Sequence, residues 1–230
     1  MKLEGDLTLT DEKRFCDNGD GTVTDKETNL MWSQTDAYQD TSKWSNWFMA
    51  ENYIKSLKHI LMGLAEVVST TEVTGIAIDS RKVEPGNLFL AYRGTNHNGL
   101  DYIDNAINEG AAAIVIDEAE IFNSESISKE IFKIPELRKN AGLITSRFYG
   151  NPSKNIKIIG VTGTNGKTTV SYLIAYAMHG LKKNSAFIGT LGHGLFGQIE
   201  TSKTTTPDPV KLHSLFSLWE NQVNFVAMEV

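Results

Sequence analysis

From about residue 61 to 150, short apolar runs alternate with segments of helical period: VTGIAID, NLFLAYRG, YIDNAINEG and then AAAIVID. Such alternation predicts an α/β unit. Within it, IDSRKVEPGNLF sets Asp79 and Ser80 at the end of a strand, and Pro85 and Gly86 predict a turn that closes a hairpin. The stretch EIFNSESISKEIFKIPEL is polar and weakly patterned, and a helix is expected from Glu136 to Tyr149. GNPS, at 150 to 153, punctuates the chain as a linker would. Beyond it, IKIIGV reads as a buried parallel strand and TTVSYLIAYAMHGL as a helix, with Val170, Leu173, Ile174, Ala177 and Met178 at helical spacing. SAFIGT, PVKLHSLFSLWEN and VNFVAMEV follow as strand, helix and strand, which implies a parallel sheet with right-handed crossovers.

The first 60 residues differ. They hold Trp32, Trp44 and Trp47 of the 4 tryptophans, with many Asp, Asn and Thr. DNGDGTVTD is not an EF-hand loop, because Gly19 and Gly21 fall where the third and fifth ligands belong and Thr22 takes the place of the required glycine. It reads as a tight turn leading into the strand TVTD.

Composition narrows the function. A chain of 230 residues with 40% apolar and 22% charged positions can bury one large or two modest cores. A net charge of -6 argues against a general nucleic-acid or anionic-membrane surface, so any phosphate site must be local. The single cysteine, Cys16, excludes an internal disulfide and reads as a buried thiol. MKLEGDLTLTDEKRF lacks the apolar core of a signal peptide, and no stretch has the ~18 apolar residues of a membrane span, so a cytoplasmic protein is expected. NFVAMEV is an apolar run without a turn or polar tail, as in a chain cut in mid-fold.

The candidate chemistry lies in GVTGTNGKTT, at 160 to 169. A strict Walker A motif needs Gly at 161, where this chain has Val161; its glycines are Gly160 and Gly163. What remains, Gly163, Thr164, Asn165, Gly166, Lys167, Thr168 and Thr169 between a strand and a helix, is the setting of a phosphate loop. Glycines let N–H groups turn inward around an anion, and the helix N-terminus adds about half a positive charge. Lys167 would neutralise β/γ-phosphate oxygens and Thr168 would ligate Mg2+. The competing reading is an ordinary glycine turn. Glu229 ends the third strand of this sheet, where it could hold Mg2+ opposite the loop or simply be solvated. TTTPDP, at 204 to 209, offers hydroxyls for a phosphate or sugar, or a plain helix cap. In RGTNHNG, His97 reads as a surface residue.

Taken in order, DSRKVEPGNLFLAYRG, GLDYIDNAINEGAAAIVID, FYGNPS, GVTGTNGKTT, FIGTLG, TTTPDP and MEV resemble the Mur ligases over about residues 62 to 230. TTTPDP and MEV favour the branch of the family that adds the third amino acid of the peptidoglycan stem peptide. The resemblance implies an α/β fold: a uridine-binding domain over about 61 to 152 and the central ATP-binding domain from 153 to 230, preceded by a Trp-rich segment over 1 to 60. It implies UDP-N-acetylmuramoyl-L-alanyl-D-glutamate and an amino acid, meso-diaminopimelate or L-lysine, as substrates, with ATP and Mg2+. Ile78 and Ser80 match the uridine contacts, Thr95, Asn96 and His97 a substrate loop, and Thr205 and Thr206 the threonine pair that holds the UDP-sugar peptide, with Thr204 beside them. Gly163 to Thr169 match the ATP loop, including its non-Walker first glycine, and Lys167 its catalytic lysine. Glu229 matches the Mg2+ glutamate.

The implied mechanism is phosphoryl transfer to the γ-carboxylate of D-glutamate, giving an acyl phosphate that the incoming amine attacks. The family pattern continues past MEV with Ser-Ser-His, a carbamylated lysine and a C-terminal domain, so this chain alone is expected not to complete ligation. A monomer is expected. FCDNGDGTVTDKETNLMW separately resembles the opening of a bacterial module of unknown function related to the C-terminal domain of the Lcl adhesin, with Asn29 where that pattern has glycine. Two rival functions remain. Folylpolyglutamate synthetase shares a similar ATP loop but lacks the DSRKVEPG region, and a noncatalytic carbohydrate-binding or adhesion protein would be led by the Trp-rich segment.

Overall fold

The computed structural model describes residues 15–17, 22–25, 30–33, 55–69, 71–94, 97–122, 127, 129–202 and 204–230, the first three groups as backbone only. By contacts the chain divides into Met1–Tyr53 and Ile54–Val230. In the first unit β1 (Phe15–Asp17), β2 (Thr22–Asp25) and β3 (Leu30–Ser33) form an antiparallel sheet in that order, with Cys16 opposite Thr24 and Val23 opposite Trp32. The strand expected at TVTD is β2. The Cys16 side chain, Trp44 and Trp47 lie outside the described residues.

The second unit contains two four-stranded sheets. The first runs β4 (Gly75–Ala77), β5 (Asn87–Ala91), β6 (Ala113–Asp117) and β7 (Glu130–Ile134), every neighbouring pair parallel. A parallel strand buried on both faces needs an unbroken apolar run, which NLFLA and AIVID supply. The two-residue period then sorts the run between layers. Leu88, Leu90 and Val115 face one cluster with α1 (Leu57–Ile60) and α3 (Leu137–Phe148). Phe89, Ala91, Ile114 and Ile116 face another with α2 (Ile103–Asn108). Residues 57–61 are therefore part of this core.

Two expectations fail in this sheet. The hairpin after Ser80 is absent, because β4 and β5 are parallel and are joined by a 3-10 turn over Ser80–Lys82. Pro85 and Gly86 end that crossover rather than reverse it. The polar stretch before Glu136 also contains a strand, β7. It is an edge strand with only Ile134 fully buried, so its sequence carries little of the apolar signal.

The second sheet has the order β10, β9, β11, β8, from β8 (Lys157–Val161), β9 (Ser185–Gly189), β10 (Gly192–Leu195) and β11 (Phe225–Glu229). β11 lies between β8 and β9 and is parallel to both, which needs crossovers through α4 (Lys167–Gly180) and α5 (Pro209–Trp219). The sheet is not wholly parallel, however: β10 folds back antiparallel on β9 through residues 190–191. GHGL has two glycines and no apolar run, so periodicity did not mark it. α5 covers one face with Leu215, Phe216 and Trp219, and α3 packs against α5. α4 covers the other face differently from its apolar spacing. Its buried residues are the small Ser171 and Ala175, which let it approach the sheet closely, while Val170 and Leu173 are 47% and 55% exposed.

Candidate functional site

The register of the second sheet builds the site. Glu229 pairs with Val161, the last residue of β8, and Met228 pairs with Ile188. The end of β11 is thereby set between the loop that follows β8 and the corner that follows β9. Residues 162–166 form an exposed turn, in which Gly163 has φ 146 and Gly166 φ 76, conformations that side chains with a Cβ rarely adopt. Gly166 is the N-cap of α4 and offers no side-chain cap, so the first N–H groups of the helix remain open to an anion. Lys167 begins the helix, and its Nζ donates to the Gly163 carbonyl at 2.7 Å, folding the ammonium back over the loop. Ser171 donates from beneath to the Lys167 and Thr168 carbonyls at 2.7 and 3.2 Å.

Glu229 is only 2% exposed. Its Oε2 accepts from Thr168 Oγ1 at 3.0 Å, and its Oε1 accepts from the Thr190 amide at 2.7 Å. Thr190 Oγ1 also lies 3.3 Å from Oε2 and 3.2 Å from Thr205 Oγ1. Thr206 Oγ1 donates to the Glu229 carbonyl at 3.3 Å. The simple solvation considered for Glu229 is thus set aside: it is a buried carboxylate held by the hydroxyls of Thr168 and Thr190 and the Thr190 amide. Its hard oxygen and that of Thr168 are the donors a Mg2+ ion prefers, and such an ion takes the rest of its shell from phosphate oxygens and water. Among the described residues no group of three or more His, Cys, Asp or Glu could hold a metal.

A second cluster lies at the carboxyl end of β4. Ser80 is buried, opens the 3-10 turn capped by Asp79, and accepts from Asn105 Nδ2 at 3.2 Å. The Arg81 guanidinium, which donates to both Asp79 oxygens, holds the Asp79 carboxyl below its usual value. A cleft of about 1280 Å³ opens here. Ile78, Ser80, His97, Tyr149, Asp208 and Lys211 are among the residues that line it. Burial, with the nearby Asp208 carboxylate second, raises the Tyr149 phenol above its usual value. His97 is exposed, as expected, and its Nδ1 lies 3.5 Å from the Tyr102 hydroxyl. Thr95 and Asn96 lie outside the described residues.

The structure therefore brings Gly163 to Thr169, Thr205, Thr206 and Glu229 together, and sets Ile78, Ser80 and His97 in a separate cleft. The segment after β10 joins the two. Thr206 reaches the Glu229 carbonyl and Thr205 the Thr190 hydroxyl beside it, while Asp208 and Lys211, a few residues on, line the cleft. Thr204 donates its amide to Ser202 Oγ at 3.3 Å and is exposed. The helix-cap reading of TTTPDP also holds, since Asp208 accepts from the Lys211 amide at 3.0 Å. Thr190 and Asn105 were not among the sequence candidates. FIGT and YIDNAINEG gave no signal for them beyond lying in patterned segments, because their roles depend on partners far along the chain.

A strand, glycine loop and helix beside a buried carboxylate define an α/β protein of the phosphate-loop class. The chain matches the "Mur ligase family, catalytic domain" over residues 72–149 and the "Mur ligase middle domain" over residues 161–230. It belongs to the Mur ligase family. It is 43% identical over 156 residues to the UDP-N-acetylmuramoyl-L-alanyl-D-glutamate--2,6-diaminopimelate ligase of Ectopseudomonas mendocina (strain ymp), covering 67% of this chain and 32% of that protein. To the protein of the same name from Haemophilus influenzae (strain PittEE) it is 38% identical over 176 residues, 74% of this chain and 36% of the relative. A solved structure of a ligase of that name superposes with a TM-score of 0.63 at 28% identity, over 76% of this chain and 35% of that one. The chain spans about a third of the length of the curated relatives it matches. Among the described residues no helix is long and apolar enough to cross a membrane.

Proposed function

We propose that this chain carries the ATP-gripping and UDP-substrate-holding parts of an ATP-dependent amide ligase of peptidoglycan precursor synthesis, acting in the cytoplasm. Its acceptor is UDP-N-acetylmuramoyl-L-alanyl-D-glutamate, and the relatives' names favour diaminopimelate over L-lysine as the added residue. The observation that carries the reading is the convergence of Lys167, Thr168 and Glu229 at one end of the second sheet, where β11 runs parallel to β8.

The open amides at the start of α4 bind phosphate oxygens, and Lys167 exchanges its bond to the Gly163 carbonyl for one to the nucleotide. Thr168 and Glu229 hold Mg2+, which when bound neutralises charge on the transferring phosphoryl group. Thr205 and Thr206 grip the acceptor beside that point, with Thr204 at the rim. Ile78 and Ser80 seat its uridine end in the cleft, near His97 and the loop carrying Thr95 and Asn96. The Asp208–Lys211 wall lies a few residues from the threonine pair, so one extended substrate can touch both clusters. Rate enhancement then rests on alignment and charge neutralisation, with no protein nucleophile. The expected division at about residue 152 sets the uridine contacts Ile78 and Ser80 apart from the ATP loop.

Calorimetric titration tests the proposal with MgATP and UDP-N-acetylmuramoyl-L-alanyl-D-glutamate separately. Binding of both, with MgATP lost in K167A and the UDP substrate weakened in S80A, is the expected result. Binding of free glycans with no affinity for either nucleotide would overturn the ligase reading in favour of a carbohydrate-binding protein.

A further inference from the structure

Glu229 occupies a space that one particular residue leaves open. A Cβ added at Gly189 would lie 2.1 Å from Glu229 Oε1 and 2.8 Å from its Cδ, well inside contact distance. The same Cβ would lie 2.7 Å from Phe187 Cζ, and both the Phe187 ring and the Glu229 carboxylate are buried, so neither can swing out into solvent. The next residue supplies the bonds. Thr190 donates its amide to Oε1 at 2.7 Å and its hydroxyl lies 3.3 Å from Oε2, whereas the phosphate-loop side contributes only Thr168, to Oε2. Oε1 is therefore oriented by the β9 corner. The same Thr190 hydroxyl is 3.2 Å from Thr205 Oγ1. With the Thr205 hydroxyl as donor to Thr190, and Thr190 as donor to Glu229, the three groups form one chain of hydrogen bonds.

We propose that Gly189 and Thr190 form the seat that holds the Glu229 carboxylate in its cation-ligating pose, with Thr190 a positioning residue that also ties this pose to the substrate threonine Thr205. The proposal rests on the ligase reading and extends it to two residues outside the loop, the glutamate and the threonine pair. Gly189 supplies space and Thr190 supplies direction. A carboxylate so fixed does not have to be ordered when the ion arrives, which favours binding.

Mn2+ titration of the ATP-bound chain, followed by electron paramagnetic resonance, tests this in the parent, T190V, T190S and G189A. Valine keeps the shape and the backbone amide of Thr190 and removes only the hydroxyl. T190V is expected to weaken Mn2+ binding about tenfold, with T190S restoring it and G189A weakening it further. ATP affinity measured in EDTA is expected to stay unchanged in all of them. The UDP substrate should also bind more weakly to T190V than to T190S. If G189A does not fold, the T190V and T190S pair decides. A T190V chain that binds Mn2+ as tightly as the parent overturns the seat, as does a T190V chain whose metal-free ATP binding falls by the same factor. A parent chain that adds nothing to the Mn2+ affinity of free ATP overturns the ligase reading itself, and the seat with it.

Discussion

Glu229→Gln separates a cation ligand from a structural carboxylate. In the folded chain Glu229 accepts from Thr168 Oγ1, the Thr190 amide and Thr190 Oγ1, at 3.0, 2.7 and 3.3 Å. A glutamine of the same shape keeps its carbonyl against the Thr190 amide, and its NH2 group meets two hydroxyls that can rotate to accept. No buried donor is stranded, so the EDTA form should change by less than about 1 kcal/mol, or within about 2–4 °C for a domain of this size. Ligand-induced stabilisation should behave differently. A ligand at 100 times its Kd adds about 2.7 kcal/mol, worth about 5–10 °C here. If the substitution weakens MgATP tenfold, about 1.4 kcal/mol of that gain disappears. Thermal melts in EDTA, in ATP with EDTA and in MgATP at one fixed concentration would show this. E229Q should stay within about 2–4 °C of the parent in the first two, and its stabilisation by MgATP relative to its own EDTA melt should be about 3–6 °C smaller. A full MgATP shift in E229Q would refute the metal role. A melt in EDTA more than about 10 °C below the parent would show instead that the carboxylate holds the sheet together.

Other perturbations test the framework around the site. Asp208→Ala removes the cap of α5, whose Oδ1 accepts the Lys211 amide at 3.0 Å, and should cost about 1 kcal/mol in urea unfolding while moving the cleft wall. Leu88→Ala, at a position 0% exposed in the first sheet, should cost about 2–5 kcal/mol by the same measurement and leave MgATP binding by the folded fraction intact. His213 has a buried Nδ1 with no hydrogen-bond partner among the described residues, and burial lowers its pKa from 6.5, so the unfolded chain binds a proton more readily than the folded one. Its contribution to stability is present above about pH 6.5 and is lost as the pH falls through and below that value. His213→Leu should therefore flatten the fall in melting temperature between about pH 7.5 and about pH 5.5, with a remainder from His193, which burial shifts in the same direction.

Much of the fold was legible because parallel strands buried on both faces must be continuously apolar, and NLFLA, AIVID and SAFIG are. What escaped were elements that carry little of that signal. β7 is an edge strand with one fully buried residue, and β10 is a glycine-rich return strand. The crossover between β4 and β5 was mistaken for a hairpin because Pro-Gly marks a turn without stating how many strand directions it reverses. On α4 the helical period was legible, but the residues that meet the sheet most closely are not those of the apolar spacing. Ser171 and Ala175 meet the sheet because close approach selects small residues, and an apolar count cannot distinguish that from a stripe facing outward.

The site divides along the same line. The loop from Gly163 to Thr169 is local, so strand, glycines, lysine and helix could be read as one unit from adjacent letters. Its partners are not local: Thr168 and Glu229 are 61 positions apart, and Thr190 and Glu229 are 39 apart. They meet because β11 enters the sheet between β8 and β9, and a one-residue slip of β11 would turn the Glu229 side chain to the opposite face. Register thus decides whether the acid, the two threonines and the lysine form a site at all. Periodicity predicted that a third strand would exist. It could not say that this strand would sit in the middle, and only the middle position puts one carboxylate within reach of both the phosphate loop and the corner after β9.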